Sequence, residues 1–106
     1  MKQKFNLSNI DIDHLIKNNI SIDLNLLDGN KKLWVIQRVV NTKGYIKVRE
    51  GNDKGIIDLT TANTILNLYE NLGNKNQLKF IRMLGKNRFP LFVDFCYKLL
   101  NKCEVA

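Results

Sequence analysis

The stretch Tyr45-Ile-Lys-Val-Arg-Glu-Gly-Asn-Asp-Lys-Gly-Ile-Ile-Asp-Leu59 carries a strong structural pattern. Apolar and charged residues alternate from Tyr45 to Arg49, which is the period of a half-buried strand. The segment Gly51–Gly55 is rich in turn-forming residues, and the apolar run Ile56–Leu59 follows it. We therefore predict a strand, a turn and a returning strand in this part of the chain.

Two more strands are predicted upstream of this hairpin. Ile20–Leu26 alternates strictly, and Leu33–Val40 is a run rich in β-branched residues. Turn residues at Asp28–Asn30 and Asn41–Gly44 separate the strands. The predicted core face carries Ile20, Ile22, Leu24, Leu26, Trp34, Ile36, Val40, Ile46 and Val48. The opposite face exposes Leu33, Val35, Gln37 and Val39 beside Tyr45, Lys47 and Arg49, and a slip of one residue would exchange the faces.

Helical patterns flank the predicted four-stranded antiparallel meander. Ser8 or Asn9 is suited to cap an N-terminal helix that runs to about Asn18. After the meander, Thr60 or Thr61 is the expected cap of a helix that stops at Gly73. A second helix is predicted from about Lys75 to Leu84, ending at Gly85, and Phe89-Pro90 opens a third that carries Cys96 and Cys103 on its apolar face.

These elements predict one α+β domain over residues 1–106, with the three C-terminal helices packed on one face of the sheet. The longest apolar runs are far shorter than the ~20 residues of a membrane span, so no membrane association is expected. The first residues have a basic tip without an apolar core, which does not fit a secretory signal. We therefore expect a cytoplasmic protein, and the sequence leaves its oligomeric state open.

Signatures of catalysis and cofactor binding are missing from the sequence. It contains no phosphate-binding glycine loop and no serine-nucleophile elbow. Cys96 and Cys103 are predicted to be reduced core residues, because seven helical positions hold them too far apart for a disulfide. His14 and Asp11 supply two ligands, which do not make a metal site. We predict no catalytic residue, no cofactor and no metal.

Positive charge is concentrated in two blocks of a chain whose formal net charge is +7. Residues 31–55 carry seven Lys or Arg and two acids, and residues 73–88 carry five Lys or Arg and no acid. In the second block, four cations recur at helical spacing within an arc of roughly 60°. These four define the basic stripe: Lys75, Lys79, Arg82 and Lys86. Leu78, Ile81 and Leu84 are expected on the opposite, apolar side of the helix.

The basic stripe favours an anionic partner over a merely solvated face, because solvated helix faces usually interleave opposite charges. A second contact row is predicted from the hairpin cations Lys43, Lys47 and Arg49, with Tyr45 between them and Arg88 nearby. Cations neutralise phosphates and aromatic rings stack on bases, so this combination suits nucleic acid. The leading hypothesis is a small non-enzymatic module that binds the phosphate backbone of DNA or RNA.

Two other hypotheses remain open at this point. The first is an inhibitor of a nucleic-acid-binding protein, such as a phage- or plasmid-encoded protein that blocks a host or defence nuclease. Its apolar contact would be the exposed Leu33, Val35 and Val39. The second is a small ribonuclease using Tyr45, Lys47 and Arg49, with His14 as a further candidate. The stretch from Tyr45 to Gly51 resembles the sheet of ribosome-dependent ribonuclease toxins, but the three following helices depart from that pattern.

Overall fold

The fold is that of a computed structural model, which describes residues 14–18 and 20–105, the last four by their backbone alone. It is a mixed α+β structure. The strands are β1 (Ile22–Asp23), β2 (Ile46–Glu50) and β3 (Asp53–Ile57). The long helices are α1 (Gly29–Thr42), α2 (Leu59–Glu70), α3 (Asn74–Lys86) and α4 (Phe89–Val105). A short 3-10 helix, Leu24–Leu26, follows β1.

The predicted hairpin is present, with a tighter turn than expected. β2 and β3 pair antiparallel, with Ile46 opposite Ile57 and Val48 opposite Gly55. The turn contains Gly51 and the residue after it, so Asp53, Lys54 and Gly55 belong to the returning strand. Gly51 has a φ of 64°, a backbone conformation that glycine adopts without steric cost.

The predicted strand over Ile20–Leu26 is wrong except at its centre. Ile22 and Asp23 pair with β2, and they do so in parallel. The Asp23 carboxylate then accepts a hydrogen bond from the Asn25 backbone N–H at 3.0 Å, which turns the chain into the 3-10 helix. As a result Ile20 and Leu26 are exposed, although Ile22 and Leu24 are buried as predicted.

The predicted strand over Leu33–Val40 is also wrong, because this segment lies inside α1. The Asp28 carboxylate accepts the Lys31 backbone N–H at 2.9 Å and so caps the helix, where a turn was expected. Leu33, Val35 and Val39, predicted to be exposed, are buried in the core. Burial against α2 and α3 outweighs the modest preference of valine for strands. The sheet therefore has three strands among the described residues, and no four-stranded meander.

The three C-terminal helices are present, with shifted ends. Asp58 caps α2, in place of Thr60 or Thr61, by accepting the Thr61 backbone N–H at 2.8 Å. Gly73 is the cap of α3, whereas α2 already ends at Glu70. The third of these helices, α4, begins at Phe89 before Pro90, as the sequence predicts.

The N-terminal helix is not found at its predicted length among the described residues. Residues 14–17 are helical, and the Asn18 backbone N–H donates to the His14 carbonyl at 3.0 Å. The predicted caps Ser8 and Asn9 lie outside the described residues. Leu15 and Ile16 pack against the edge of the core, so this short segment contributes apolar contacts to the domain.

The α1–α3 junction is the tightest helix contact of the fold. A Cβ on Gly29 would lie 2.1 Å from the Ile81 carbonyl oxygen, and one on Gly85 would lie 2.9 Å from the Gly29 nitrogen. Lys32 is buried there, and its Nζ donates to the carbonyls of Leu84 at 3.1 Å and Gly85 at 3.4 Å. Gly85 therefore serves close packing inside α3 and does not end that helix.

Candidate nucleic-acid interface

The basic stripe lies on the solvent side of α3. All four of its cations are exposed, whereas Phe80 and Leu84 of the same helix are buried. At 1.5 Å per residue, the stripe is about 16 Å long from Lys75 to Lys86. None of its four cations forms an ion pair with a residue that the structure describes. The stripe is therefore a continuous positive surface.

The positions of the charges in the basic stripe lower the stability of the helix. Lys75 lies in the first turn of α3, where the helix dipole favours acids, and that turn contains none. Lys75 and Lys79, like Arg82 and Lys86, are like charges four residues apart, and each such pair costs about 0.2–0.5 kcal/mol. An arrangement that lowers helix stability and gains no partner within the described chain is typical of a binding surface.

Leu78 departs from the predicted apolar side of α3. Its side chain is 65% exposed, whereas Ile81 is half-buried and Leu84 fully buried. Helical geometry places Leu78 about 40° from Arg82 around the axis, which is the margin of the basic stripe. The α3 surface thus combines four cations with one exposed aliphatic side chain.

The hairpin cations lie on the outer face of the sheet, away from the core. Ile46 and Val48 of β2 point into the core, so the alternate residues Lys47 and Arg49 point outward and are exposed. Tyr45 is 41% exposed. Lys43, Tyr45 and Lys47 line one shallow groove on this side of the molecule.

Two members of the predicted second row have acidic partners. Arg49 Nε lies 3.8 Å from Asp23 Oδ2 across β1 and β2, and Arg88 forms an ion pair with Asp53. The Arg88–Asp53 pair is a contact between the α3–α4 connection and the hairpin. The Arg88–Asp53 pair is solvent-exposed and contributes little to stability, whereas in the Arg49–Asp23 pair the carboxylate is half-buried.

Two further cations of the first block, Lys32 and Lys54, lie in contrasting environments. Lys32 is buried at the α1–α3 junction, and burial lowers its pKa, partly offset by the charge of Glu50. Lys54 was left out of the predicted contact row, yet it lies opposite Arg49 on the outer face of the sheet. Strand periodicity identifies Lys54 once the turn is shortened to its true length.

His14 and Cys96 are the histidine and the cysteine whose side chains the structure describes. His14 is exposed, and its ring lies 3.1 Å from the side-chain nitrogen of Asn18, its hydrogen-bond partner. Cys96 is a free, buried thiol as predicted, and burial raises its pKa to about 12, which disfavours the reactive thiolate. No group of three potential metal ligands occurs in the described part of the chain, and Asp11 lies outside it.

Two apolar grooves border α4. One, of about 260 Å³, lies between α3 and α4, where Phe80, Met83 and Phe95 line it together with Lys79 of the basic stripe. The other, of about 340 Å³, lies between β3 and the start of α4. The described helices include none that is long and apolar enough to cross a membrane. Comparison with protein-family models, curated proteins and solved structures finds no match for this chain.

Proposed function

We propose that the protein binds nucleic acid through the basic stripe, by contacts to the phosphate backbone. The single observation that carries this proposal is the row of four exposed cations on α3 that has no acidic partner among the described residues. Its length of about 16 Å allows contacts with several successive phosphates. Backbone contacts position a protein on nucleic acid without specifying sequence, so we expect little sequence preference.

The hairpin cations form a second, weaker contact surface in this proposal. Lys43 and Lys47 are exposed beside Tyr45, whose ring offers a stacking surface for an unpaired base. Arg49 and Arg88 contribute less, because binding to phosphate competes with their existing carboxylate partners. We therefore expect the basic stripe to contribute more to the affinity than the hairpin cations do.

Burial of Leu33, Val35 and Val39 removes the apolar contact on which the inhibitor hypothesis depended. That hypothesis keeps only the basic surface, which it shares with nucleic-acid binding. In this proposal Tyr45, Lys47 and Arg49 of the hairpin act as contacts and not as catalytic groups. Nuclease treatment of a purified complex distinguishes nucleic-acid binding from the inhibitor hypothesis, because a nucleic-acid complex dissociates and a protein complex survives.

The direct test is fluorescence anisotropy of labelled single- and double-stranded DNA and RNA titrated with the protein. The four phosphate contacts of the basic stripe alone predict a contribution to the slope of log affinity against log salt between about −2.8 on single strands and about −3.6 on B-form DNA. The variant Lys79→Glu with Arg82→Glu should fold normally and lose about half of this slope. Circular dichroism and thermal melting verify the fold.

A matched control carries the same change of charge elsewhere. Lys17 and Lys98 are exposed and lie outside the basic stripe, so Lys17→Glu with Lys98→Glu also lowers the net charge by four. We expect this control to retain most of the affinity and nearly all of the salt slope. Absence of binding at about 50 mM salt, or equal losses in the two double variants, would contradict the proposal.

A further inference from the structure

The outer edge of β3 is open to another strand. The sheet order is β1-β2-β3, and in the part of the chain that the structure describes nothing pairs with the second side of β3. Four of its five residues are exposed. An edge strand presents backbone N–H and C=O groups that can hydrogen-bond to an added strand.

A groove of about 340 Å³ lies beside this edge, and Gly55 is part of its lining. Gly55 pairs with Val48, whose side chain is buried, so both lie on the sheet face turned toward the helices. Because Gly55 has no side chain, space remains between it and the wall formed by Phe89, Pro90 and Val93 of α4. Apolar side chains line that wall, and residues 53–56 of β3 line the same groove.

We propose that β3 binds an extended peptide of a partner protein as an added strand, with one apolar side chain of the peptide seated over Gly55. Residues that pair across strands share a face, so the peptide residue opposite Gly55 points into the cavity. Glycine inside a regular strand often marks close approach of another backbone. Main-chain hydrogen bonds then supply affinity, and the cavity selects the side chain.

Neighbouring positions specify the chemistry of the peptide further. Lys54 and Ile56 point to the outer face, and both are exposed. Lys54 has Arg49 as its cross-strand neighbour and forms no ion pair with a described residue, so it favours an acidic residue opposite it. Ile56 favours an apolar residue. The preferred core of the peptide is therefore acidic, apolar, apolar, with the central residue in the cavity.

A second copy of the chain fits this edge less well than such a peptide. Antiparallel self-pairing that overlaps all five residues of β3 centres on Gly55, since residues 53 and 57 then face each other. That register sets glycine opposite glycine and leaves both cavities empty. It also places no acid opposite Lys54. The added strand is accordingly assigned to a different protein.

The test is selection of short random peptides displayed on phage against the full-length protein, followed by affinity measurements on synthetic copies. We expect recovered peptides to carry the acidic-apolar-apolar core, in either chain direction. Replacing the central apolar residue by glycine should weaken binding about tenfold to hundredfold, which is the contribution of burying one such side chain. N-methylation of the peptide backbone at positions that pair with β3 should weaken binding similarly.

Substitutions in β3 test whether the peptide binds at this strand. Gly55→Val places a branched side chain in the cavity and should lower the affinity at least about tenfold, whereas Lys54→Glu should lower affinity for acidic peptides and raise it for basic ones. A Cβ on Gly55 would lie 4.0 Å from Val48 Cγ2, an ordinary contact, so Gly55→Val is compatible with the fold. Lys79→Glu is the matched control, because it alters the basic stripe and should leave peptide affinity unchanged.

This inference is independent of nucleic-acid binding, and its test keeps the two apart. Gly55→Val should leave affinity for oligonucleotides unchanged. Failure to recover any peptide, or equal affinity of the recovered peptides for Gly55→Val and the unaltered protein, would overturn the inference. A dimer that forms with rising protein concentration in sedimentation experiments and is abolished by Gly55→Val would also overturn it, by showing that a second copy occupies the edge.

Discussion

The α1–α3 junction and the edge of β3 both depend on glycine, with opposite consequences. At the junction, backbone atoms of the neighbouring helix occupy the space that a side chain on Gly29 or Gly85 would need. At the edge, the space over Gly55 remains a cavity. At Gly29 and Gly85 the missing side chain allows two helices to pack closely, which stabilises the protein. At Gly55 nothing within the described chain occupies the space, which leaves room for another molecule.

The junction should be the more sensitive of the two regions, and Gly29→Ala should have the largest effect. The added Cβ would collide with the Ile81 carbonyl oxygen, a backbone atom that cannot move without displacing α3. We expect a loss of at least about 3 kcal/mol, or roughly 12 °C or more in Tm, measured by thermal unfolding. Gly55→Ala is the control. Equal melting temperatures for the two variants would refute the assigned difference in packing.

Lys32→Ala should produce the next largest loss, about 2–3 kcal/mol in denaturant unfolding. The substitution removes a buried aliphatic stem and the donors to the Leu84 and Gly85 carbonyls. Lys79→Ala, on the exposed stripe, should change stability by less than about 0.5 kcal/mol. A similar loss at Lys79 would show that burial at the junction is not what distinguishes the two lysines.

The lowered pKa of Lys32 adds a signature in pH. The unfolded chain binds more protons than the folded chain between the folded pKa and the ordinary lysine pKa of 10.5, so stability rises with pH in that window. Lys32→Met removes this contribution. The unaltered protein should therefore gain stability relative to Lys32→Met as the pH is raised toward that value, and a constant difference would contradict the burial of a charged amine.

Local pattern predicted the hairpin and α4 correctly but not α1. Alternation around Ile46 and Val48 and the proline at residue 90 are short-range signals that tertiary contacts leave unchanged. For Leu33–Val40 the β-branched composition favoured a strand, and the deciding factors were the Asp28 cap and burial against two other helices. Helix partners are set by tertiary packing, which one sequence does not reveal.

The same limit applies to the charged residues. Helical spacing was sufficient to place the four cations of the basic stripe on one exposed face. It was insufficient for Lys32, because a buried lysine depends on which carbonyls lie within reach of its amine. Likewise, the partners of Arg49 and Arg88 come from β1 and from β3, distant positions that meet only in the folded chain.

After the hairpin, at the cap of α2, Asp58→Ala is expected to lower stability by about 1 kcal/mol. Hydrogen bonds from Thr61 lower the pKa of Asp58, so its stabilising contribution is present above the ordinary carboxyl pKa and disappears as the pH falls through the folded pKa. The stability difference between Asp58→Ala and the unaltered protein should therefore shrink in acid. A difference independent of pH would show that the charged carboxylate is not the cap.

The last expected effect is a gain in stability, and it distinguishes the edge of β3 from the α1–α3 junction. Gly55→Val should raise stability by about 0.5–1 kcal/mol, because valine favours strands, restricts the unfolded chain and fills the cavity beside α4. Gly51→Ala, in the same hairpin, should lower stability by about 1 kcal/mol, since residue 51 has a positive φ. Denaturant unfolding measures the free energy of unfolding of both variants. A destabilising Gly55→Val would mean that the space over Gly55 is already required by the folded chain, and the edge of β3 would then be closed to a partner strand.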